Sequence, residues 1–536
     1  AVEAPAAKVN PTPADPVQPA ASFSAPTGTM TVALENLGAE VTDPILQSRA
    51  GHAQYQAPIY DALLGFNYES QFGGLGRGVA EEWGIDPDGL SWTFKVQDGL
   101  TFHDGEPLTA DDVKFSLERT MFHPETVTSD ARRLAKQMRQ PAEEGIEVVD
   151  PLTVRIFTDG SKPHFWSLLT RAVFQGGQIM PQDYIETNGD EVFREKPVGS
   201  GPWKYAGHQV GDHFAYEAFD NNYRGAPHFQ ELKLLLVPEE STKIAMLRTG
   251  QADIIDLVPE SAPEVGESGA KMTTIEGVGM FIFQFWGMYF EENQDKPLND
   301  LRVREALSLA INRQDIIDYT LNGYGRPSMP FATFPTSVEI DVERWQNWAK
   351  EALVYDPERA KALVAEAGYG DGFELTMWST NFSGTPYMND ISQALAGFWE
   401  EIGATVDLKV VEGGIWRPMT RAKGNSKWGE AMNGDISIYR NAGRPLPVPR
   451  YNTTFAPGSG HHAFGDDDHM TPQAEEYVRL NEIATSSMEE SERFKATNDI
   501  IQLVVDNWIG IPIVQSVSLY ASNEDTIGHW QGIYGR

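Results

Sequence analysis

The sequence predicts an α/β protein with more than one lobe. Stretches that alternate apolar and polar residues recur along the chain, and stretches with helical spacing of apolar residues lie between them. Strands that alternate with helices favour lobes built on partly parallel sheets. The chain has 536 residues, which is more than one hydrophobic core usually holds, so two or three lobes are expected. Its densest apolar patch, at 280–290, is too short to span a membrane.

The most informative local pattern lies in the first quarter of the chain. Residues 91–96 alternate apolar and polar side chains, as a half-buried strand does. Turn dipeptides at 98–99 and 104–105 flank a second short strand. Thr109 lies three residues before Asp112, which is the spacing of a capping box at a helix start. The pattern therefore predicts a β-hairpin followed by a helix.

A second group of elements is predicted in the later half. A helix that Asn299 or Asp300 can cap has one apolar face with members at i, i+3, i+4, i+7 and i+8. That face consists of Val303, Ala306, Leu307, Ala310 and Ile311. Pro357 opens another helix in its first turn, and strands follow at 373–378 and 404–412. These alternating elements predict an α/β lobe.

Composition excludes several classes of protein. The chain has no cysteine, which excludes disulfides, thiolate catalysis and zinc–thiolate sites. Its formal net charge is −35 and is spread along the sequence, so nucleic acid is not an expected partner. The sequence contains no G-x-S-x-G elbow, no P-loop and no H-E-x-x-H. We therefore expect neither an enzyme nor a cofactor.

The first residues have the composition of a tether. Residues 1–27 are rich in Ala and Pro and lack the apolar content that a core needs. The chain starts with Ala, a small residue of the kind that signal-peptidase cleavage leaves behind. These features predict an exported protein whose signal peptide has been removed.

Four blocks of the chain together resemble a known family. They occur in the family's order and spacing, at 79–119, at 197–205 (PVGSGPWKY), at 299–325 and at 355–378. From about residue 29 to 515, the chain resembles the extracytoplasmic solute-binding proteins of peptide-, nickel- and opine-type ABC importers. This is the dipeptide/oligopeptide-binding protein family, also called solute-binding family 5.

The resemblance implies an architecture and a role. It implies a two-lobed periplasmic-binding-protein fold of type II, with an extra subdomain in the first lobe and a ligand cleft between the lobes. It also implies a periplasmic monomer that closes on a small polar ligand and delivers it to the permease subunits of an ABC importer. The expected divisions are a tether at 1–27, lobe I at 28–55, 184–285 and 508–536, an inserted subdomain at 56–183, and lobe II at 286–507.

Aromatic residues at strand ends are the first candidates for ligand contact. Trp286, Trp378 and Trp416 each follow a predicted strand, where proteins of this family build their cleft. An indole in a cleft offers a flat apolar wall and one hydrogen-bond donor, which suits a sugar, a ring or a peptide group. Asn381 and Tyr387, beyond Trp378, can add hydrogen bonds. Ordinary core packing is the alternative interpretation of the three tryptophans.

The strongest departure from the family lies at 434–452. Dipeptide and oligopeptide binders typically carry an aspartate in this loop, which pairs with the α-ammonium group of the ligand. This chain has Tyr439, Arg440 and Arg444 instead. A guanidinium is a planar fork that matches a carboxylate or a phosphate. The sequence therefore predicts a ligand with an anionic group, and salt bridges to surface carboxylates are the alternative role for these arginines.

Other features leave the ligand open. Glu35 and Asn36 follow the first strand at positions that the family uses for binding, and Glu35 can serve as an anchor for a cation, as in a zwitterionic peptide or opine. The run HHAFGDDDH at 461–469 has imidazoles and carboxylates that can bind a divalent metal, although its flanking sequence is that of an exposed loop. A peptide or amino-acid-derived solute is the favoured ligand. A sugar or sugar conjugate is the first alternative, a metal or metallophore is the second, and a sensor without a transporter is the third.

Overall fold

The computed structural model describes residues 25–47, 54–66, 75–170, 176–381, 385, 387–419, 432–442, 446–459, 464–465, 470–528 and 530. The chain divides into two units. Unit 1 consists of Ala1–Leu257, Pro263–Thr273 and Tyr520–Ile533, and unit 2 of Val258–Ala262, Thr274–Leu519 and Tyr534–Arg536. No helix within the described ranges is long and apolar enough to cross a membrane. The finer division into lobes and an inserted subdomain stays a prediction.

Unit 1 combines two larger sheets with short helices. Its strands are β1 (Thr29–Leu34), β2 (Leu64–Phe66), β3 (Leu75–Arg77), β4 (Ala80–Ile85), β5 (Ser91–Val96), β6 (Ile146–Asp150), β7 (Thr153–Phe157), β8 (Trp203–Gln209), β9 (His213–Ala218), β10 (Glu231–Leu236) and β11 (Ile254–Leu257). Its helices are α1 (Ala110–Phe122), α2 (Ser129–Gln137), α3 (Gln182–Asn188), α4 (Asp190–Glu195), α5 (Glu240–Thr249) and α6 (Ala262–Glu267), with 3-10 turns at Pro44–Leu46, Ala142–Glu144 and Phe165–Leu168.

One sheet of unit 1 is mixed and the other is antiparallel. In the mixed sheet the strand order is β11, β1, β10, β9, β8, and β1 runs parallel to both of its neighbours. In the antiparallel sheet the order is β4, β5, β7, β6. The alternation predicted at 91–96 is confirmed, because Trp92, Phe94 and Val96 are buried in the core beneath β5. The predicted capping box is also present, and the backbone N–H of Thr109 donates to the Asp112 carboxylate at 2.9 Å.

The hairpin predicted after β5 is wrong in its pairing. β5 pairs with β4 on one side and β7 on the other. The segment after the turn at 98–99 pairs instead with the residues that follow the turn at 104–105, through a bridge between Thr101 and Pro107 and a 2.9 Å hydrogen bond from the Phe102 N–H to the Glu106 carbonyl. Turn dipeptides mark where the chain reverses, but they carry no information about which strand supplies the hydrogen bonds. The turn signals were therefore correct while the partner of the strand was not.

The glycine-rich block at 197–205 is explained by a close backbone approach. The backbone N–H of Gly201 donates to the carbonyl of Ile59 at 2.8 Å. A β-carbon placed on Gly199 would lie 2.1 Å from that same carbonyl oxygen, and one on Gly201 would lie 2.4 Å from the Pro58 oxygen. Only glycine allows two backbone segments to approach this closely.

Unit 2 is an α/β unit with more helix than unit 1. Its strands are β12 (Lys271–Phe285), β13 (Gly325–Pro327), β14 (Phe373–Ser379), β15 (Ala404–Val410), β16 (Ile436–Ala442) and β17 (Ile511–Ser522), of which β12 and β17 also enter unit 1. Its helices are α7 (Leu301–Leu309), α8 (Arg313–Asp315), α9 (Val342–Ala352), α10 (Pro357–Glu366), α11 (Met388–Glu400), α12 (Gly413–Met419), α13 (Val448–Thr454), α14 (Pro472–Ser486) and α15 (Glu490–Asp506). A π-helical turn spans Ile316–Thr320, and 3-10 turns span Pro259–Ser261, Glu291–Asn293 and Pro297–Asn299.

The sheet of unit 2 is also mixed. Its strand order is β15, β14, β16, β12, β17, with β13 paired to β17. β14 runs parallel to β15 and β16, whereas β12 and β16 are antiparallel. The helical face predicted for α7 is buried in the main core, and Asp300 caps that helix by accepting from the backbone N–H of Arg302 at 2.8 Å. Asp356 caps α10 in the same way, through the backbone N–H of Arg359 at 2.9 Å.

Candidate functional site

The three candidate tryptophans come together in unit 2. Trp286 follows β12, Trp416 lies in α12, and Trp378 lies near the end of β14. Trp286 and Trp416 belong to one buried cluster, against which the half-buried side chains of Trp378 and Tyr439 pack. Trp286 is 1% exposed and Trp416 is fully buried, so these two indoles act here as core residues. Trp378 and Tyr439 keep part of their surface open.

The indole donors of this cluster differ in their partners. Trp286 Nε1 donates to Ser437 Oγ at 2.8 Å, and Trp378 Nε1 donates to Asp435 Oδ2 at 2.7 Å. Burial raises the pKa of the Asp435 carboxyl, and the hydrogen bond from Trp378 opposes that rise. Trp416 Nε1 is buried and has no hydrogen-bond partner in the described part of the chain. Leaving such a donor unpaired costs about 1–3 kcal/mol.

Arg440 is the most unusual charged group of the site. It lies on β16 opposite Phe281 of β12. Its Nη2 donates a long hydrogen bond of 3.5 Å to the Val278 carbonyl. Its Nε is buried without a hydrogen-bond partner among the described residues, and no described carboxylate pairs with this guanidinium. Burial lowers the pKa of Arg440. Within the described residues, the positive charge of this guanidinium is therefore not balanced by a negative one.

The described groups that act on Arg440 are aromatic and polar rather than acidic. Tyr387 lies just before α11 and is 4% exposed. Its ring packs edge-to-face against the Phe281 ring, with 5.7 Å between the ring centres. Burial raises the pKa of Tyr387, and the positive charge of Arg440 opposes this rise. A β-carbon on Gly279 would lie 3.1 Å from Arg440 Nε and 3.2 Å from Ser516 Oγ, so glycine leaves room beside the guanidinium.

Arg450, which follows the predicted anchors Arg440 and Arg444 in the sequence, also contacts the residues of this site. Its Nη2 donates to the Tyr439 hydroxyl at 2.7 Å, and its guanidinium lies 5.1 Å from the centre of the Tyr439 ring. Its Nε donates to the Asn441 side chain, whose Nδ2 is buried without a partner among the described residues. The proline-rich segment before α13 was its only sequence signal. Arg450 thus orients two residues that flank Arg440.

The remaining candidates of unit 2 are placed as follows. Asn381 is exposed, and its side-chain oxygen accepts from the backbone N–H of Asn389 at 3.3 Å. Arg444 lies outside the described residues, as do His461, His462 and the Asp466–His469 run on which the metal hypothesis rests. Roles for Asn381, Arg444 and that run stay predictions.

Glu35 and Asn36 lie in unit 1, directly after β1. Burial raises the pKa of the Glu35 carboxyl, with a further rise from the negative charge of Asp256 and an opposing effect of Lys243. The Lys243 ammonium is already engaged, because it lies 2.5 Å from Asp256 Oδ1 and 2.8 Å from Glu240 Oε2. The Asn36 side chain accepts from the backbone N–H of Gly38. Glu35 therefore offers a carboxylate that no described basic group neutralises directly.

Unit 1 also contains a geometric cluster of metal-ligand types. One ligand atom each from His123, Glu125 and Asp190 lie within 4.8 Å of one another. Arg119 already binds Asp190 at 2.6 Å, and Arg194 already binds Glu125 at 2.5 Å. These two guanidiniums supply the positive charge that a cation would bring, so the cluster is better described as an ion-pair network.

Comparison with known proteins places the chain in a family. Residues 75–461 match the model for bacterial extracellular solute-binding proteins, family 5 Middle. The chain belongs to this family. It is accordingly an extracytoplasmic receptor that binds a small solute for an ABC importer.

Individual relatives are distant in sequence but similar over nearly the whole chain. Heme-binding protein A of Haemophilus influenzae is 26% identical over 495 residues, which cover 89% of this chain and 85% of that protein. Glutathione-binding protein GsiB of Shigella flexneri is 25% identical over 479 residues, which cover 88% of this chain and 86% of that protein. Both relatives are named as binding proteins.

Solved structures show the same fold. HbpA2 from Haemophilus parasuis superposes with a TM-score of 0.75 at 21% identity, covering 95% of this chain and 98% of that one. AgaA from A. tumefaciens R10, in complex with agropinic acid, superposes with a TM-score of 0.68 at 22% identity, covering 95% and 96%. The predicted α/β fold of the two-lobed periplasmic binding proteins is confirmed by these matches.

Proposed function

We propose that this receptor captures a peptide or amino-acid-derived solute that carries an anionic group, and that Arg440 binds that group. The observation that carries the proposal is the unbalanced charge of Arg440. The chain has 77 acidic and 42 basic residues, so carboxylates are abundant enough to pair with every arginine and lysine. Arg440 nevertheless has none among the described residues. A ligand carboxylate would supply the missing negative charge and form charge-assisted hydrogen bonds.

The relatives support an anionic ligand. One is named for heme and another for glutathione, and both molecules carry two carboxylate groups. A structure with the same fold contains agropinic acid, which is also an acid. Haem, glutathione and an opine differ in shape, and the carboxylate is what they share. The proposal assigns that shared group, rather than any one of these molecules, to the present chain.

Glu35, in unit 1, is suited to a cationic group. Its carboxyl has a raised pKa and gains no direct ion pair from Lys243. An ammonium group bound there would stabilise the ionised form of Glu35. A peptide or another zwitterionic solute offers such an ammonium group. A sugar or sugar conjugate is the alternative, favoured by the open faces of Trp378 and Tyr439.

A thermal-shift comparison tests the assignment of Arg440. Short peptides and glutathione are compared with their carboxamide analogues, in the wild-type protein and in Arg440→Gln. Because a hydrogen bond to a charged group contributes about 1.5–3 kcal/mol, the variant should bind the carboxylate about 10- to 150-fold more weakly. Arg479→Gln, which removes an exposed arginine paired with Glu476, is the matched control and should bind normally.

Two results would contradict the proposal. Equal stabilisation by carboxylates and carboxamides would show that the protein does not recognise the charge of the ligand. Unchanged affinity in Arg440→Gln would show that this guanidinium is not the anchor. Native mass spectrometry of freshly purified protein should detect a co-purified acid, whereas a neutral saccharide would favour the sugar alternative. We further propose a periplasmic location, which release by osmotic shock would test.

A further inference from the structure

Unit 2 contains a cavity of about 640 Å³ that is separate from the surroundings of Arg440. Gln515 of β17 lines this cavity, whereas Ser516, the next residue, lies beside Gly279 and Arg440. Successive side chains of a strand point to opposite faces of the sheet. The cavity and the Arg440 site therefore lie on opposite faces of β17.

The walls of the cavity combine apolar residues with polar and charged ones. They include the side chains of Ile311, Ile317, Met329, Ala349 and Leu353. Ser328 also lines the cavity, is 3% exposed, and has a hydroxyl group without a hydrogen-bond partner in the described part of the chain. Small-molecule sites in proteins have volumes of about 300–1,000 Å³ and combine apolar walls with a few polar groups. The cavity has the size and lining of such a site.

Arg313 gives the cavity a positive charge. It is 8% exposed, and its guanidinium donates to the backbone carbonyls of Ser308 and Pro512 at 3.0–3.1 Å. Its remaining donors reach Ser308 Oγ at 2.9 Å and the Leu353 carbonyl at 3.4 Å, so Arg313 can act on an anion through its charge and not through a free N–H group. No described carboxylate pairs with it, and burial lowers its pKa to about 9. Carbonyl oxygens hold the guanidinium in place but carry no net charge. An anion in the cavity would lie close to this unbalanced positive charge.

The other charged groups of the lining add to this effect. Arg326 Nε lies 2.6 Å from Glu276 Oε1, so these two groups neutralise each other. Lys350 lies at the rim, where its ammonium is 3.4 Å from Asn347 Oδ1 and forms no described ion pair. Three cations, Arg313, Arg326 and Lys350, face one carboxylate, and the lining thus has a net charge of +2 in a chain whose net charge is −35.

We infer that this cavity is a second binding site, and that it takes a small amphipathic organic carboxylate. The apolar walls would hold the body of such a molecule, and Arg313 and Lys350 would attract its carboxylate. The site is distinct from the one proposed for the transported solute, because it does not include Arg440.

Fluorine NMR with para-trifluoromethylbenzoate as the probe tests this inference. We expect the probe's signal to broaden saturably with wild-type protein, and the neutral para-trifluoromethylbenzamide to remain sharp. Lys350→Gln should weaken binding about two- to fivefold, the range for an exposed charge pair. Ala349→Trp, which fills the cavity, should abolish binding. Arg440→Gln should bind the probe as the wild type does.

The variants also define what would overturn the inference. Lys350 and Ala349 lie on α9 and are exposed and half-buried, respectively, so both variants should fold, which circular dichroism checks. Binding that persists in Ala349→Trp would place the probe elsewhere. Equal binding of the benzamide would show that the charge is irrelevant. Loss of binding in Arg440→Gln, with Lys350→Gln unaffected, would assign the probe to the solute site instead.

Discussion

Replacement of Arg119 by methionine tests the ion-pair network that anchors α1 in unit 1. Arg119 is 7% exposed and binds both carboxylate oxygens of Asp43 at 2.8 Å, while its Nη2 also binds Asp190 at 2.6 Å. Asp43 is fully buried. Methionine keeps the apolar part of the side chain and removes the guanidinium, so the loss is mainly electrostatic.

The structure sets the size of the expected effect. Removal of one partner of a buried ion pair costs about 3–5 kcal/mol, because the other charge stays buried without compensation. Asp43 retains Arg194, whose Nε lies 3.3 Å from Asp43 Oδ2, and Asp190 retains His123 at 2.9 Å. These remaining contacts favour the lower end of the range. We therefore expect a loss of about 3 kcal/mol in the free energy of unfolding of unit 1.

Urea denaturation and hydrogen exchange of α1 peptides measure this loss. A chain with two units need not unfold in one step, so exchange within Ala110–Phe122 reports on the relevant unit. Arg248→Met is the matched control, since Arg248 forms an exposed pair with Glu264 at 2.8 Å and should cost less than about 1 kcal/mol. Equal losses in the two variants would refute the reasoning. Asp43→Asn combined with Arg119→Met should recover part of the stability.

Two further predictions concern unit 1. Burial lowers the pKa of His103 from 6.5 to about 4, and its ring nitrogens contact the Gly201 carbonyl and the Gly199 N–H. The unfolded chain binds a proton below about pH 6.5 before the folded chain does, so unfolding should become easier by up to about 3 kcal/mol between about pH 6.5 and pH 4. Urea titrations across this range should show a shallower slope in His103→Gln, and an unchanged slope would contradict the assignment. Gly199→Ala should destabilise the protein by about 1–3 kcal/mol, because the new β-carbon would lie 2.1 Å from the Ile59 oxygen. Gly266→Ala is the control, since its β-carbon meets open space and should not destabilise the protein. Equal melting temperatures of the two variants would rule out the clash.

Some features of the candidate site were visible in the sequence and others were not. The three tryptophans chosen at strand ends, Trp286, Trp378 and Trp416, lie together in one cluster, and their contact with a ligand stays a prediction. The sequence did not reveal that two of them are buried, since a strand end can face a core or an open surface. Arg440 was selected because it replaces an expected acid. Arg450 was not selected as a contact, because its role depends on its distance from Tyr439 in space.

The amino-acid sequence by itself determined the class of the protein. Periodicity, caps and turns are local interactions, and the ordered blocks that resemble the family are themselves strings of residues, so the α/β elements and the transport role followed from the chain. Only the tertiary structure decided which charges are balanced. Arg119 pairs with the Asp43 carboxylate, whereas Arg440 pairs with no carboxylate among the described residues. That difference depends on burial and on contacts between residues distant in sequence. These two factors determine the electrostatic free energy of each charge, and no local sequence pattern encodes them.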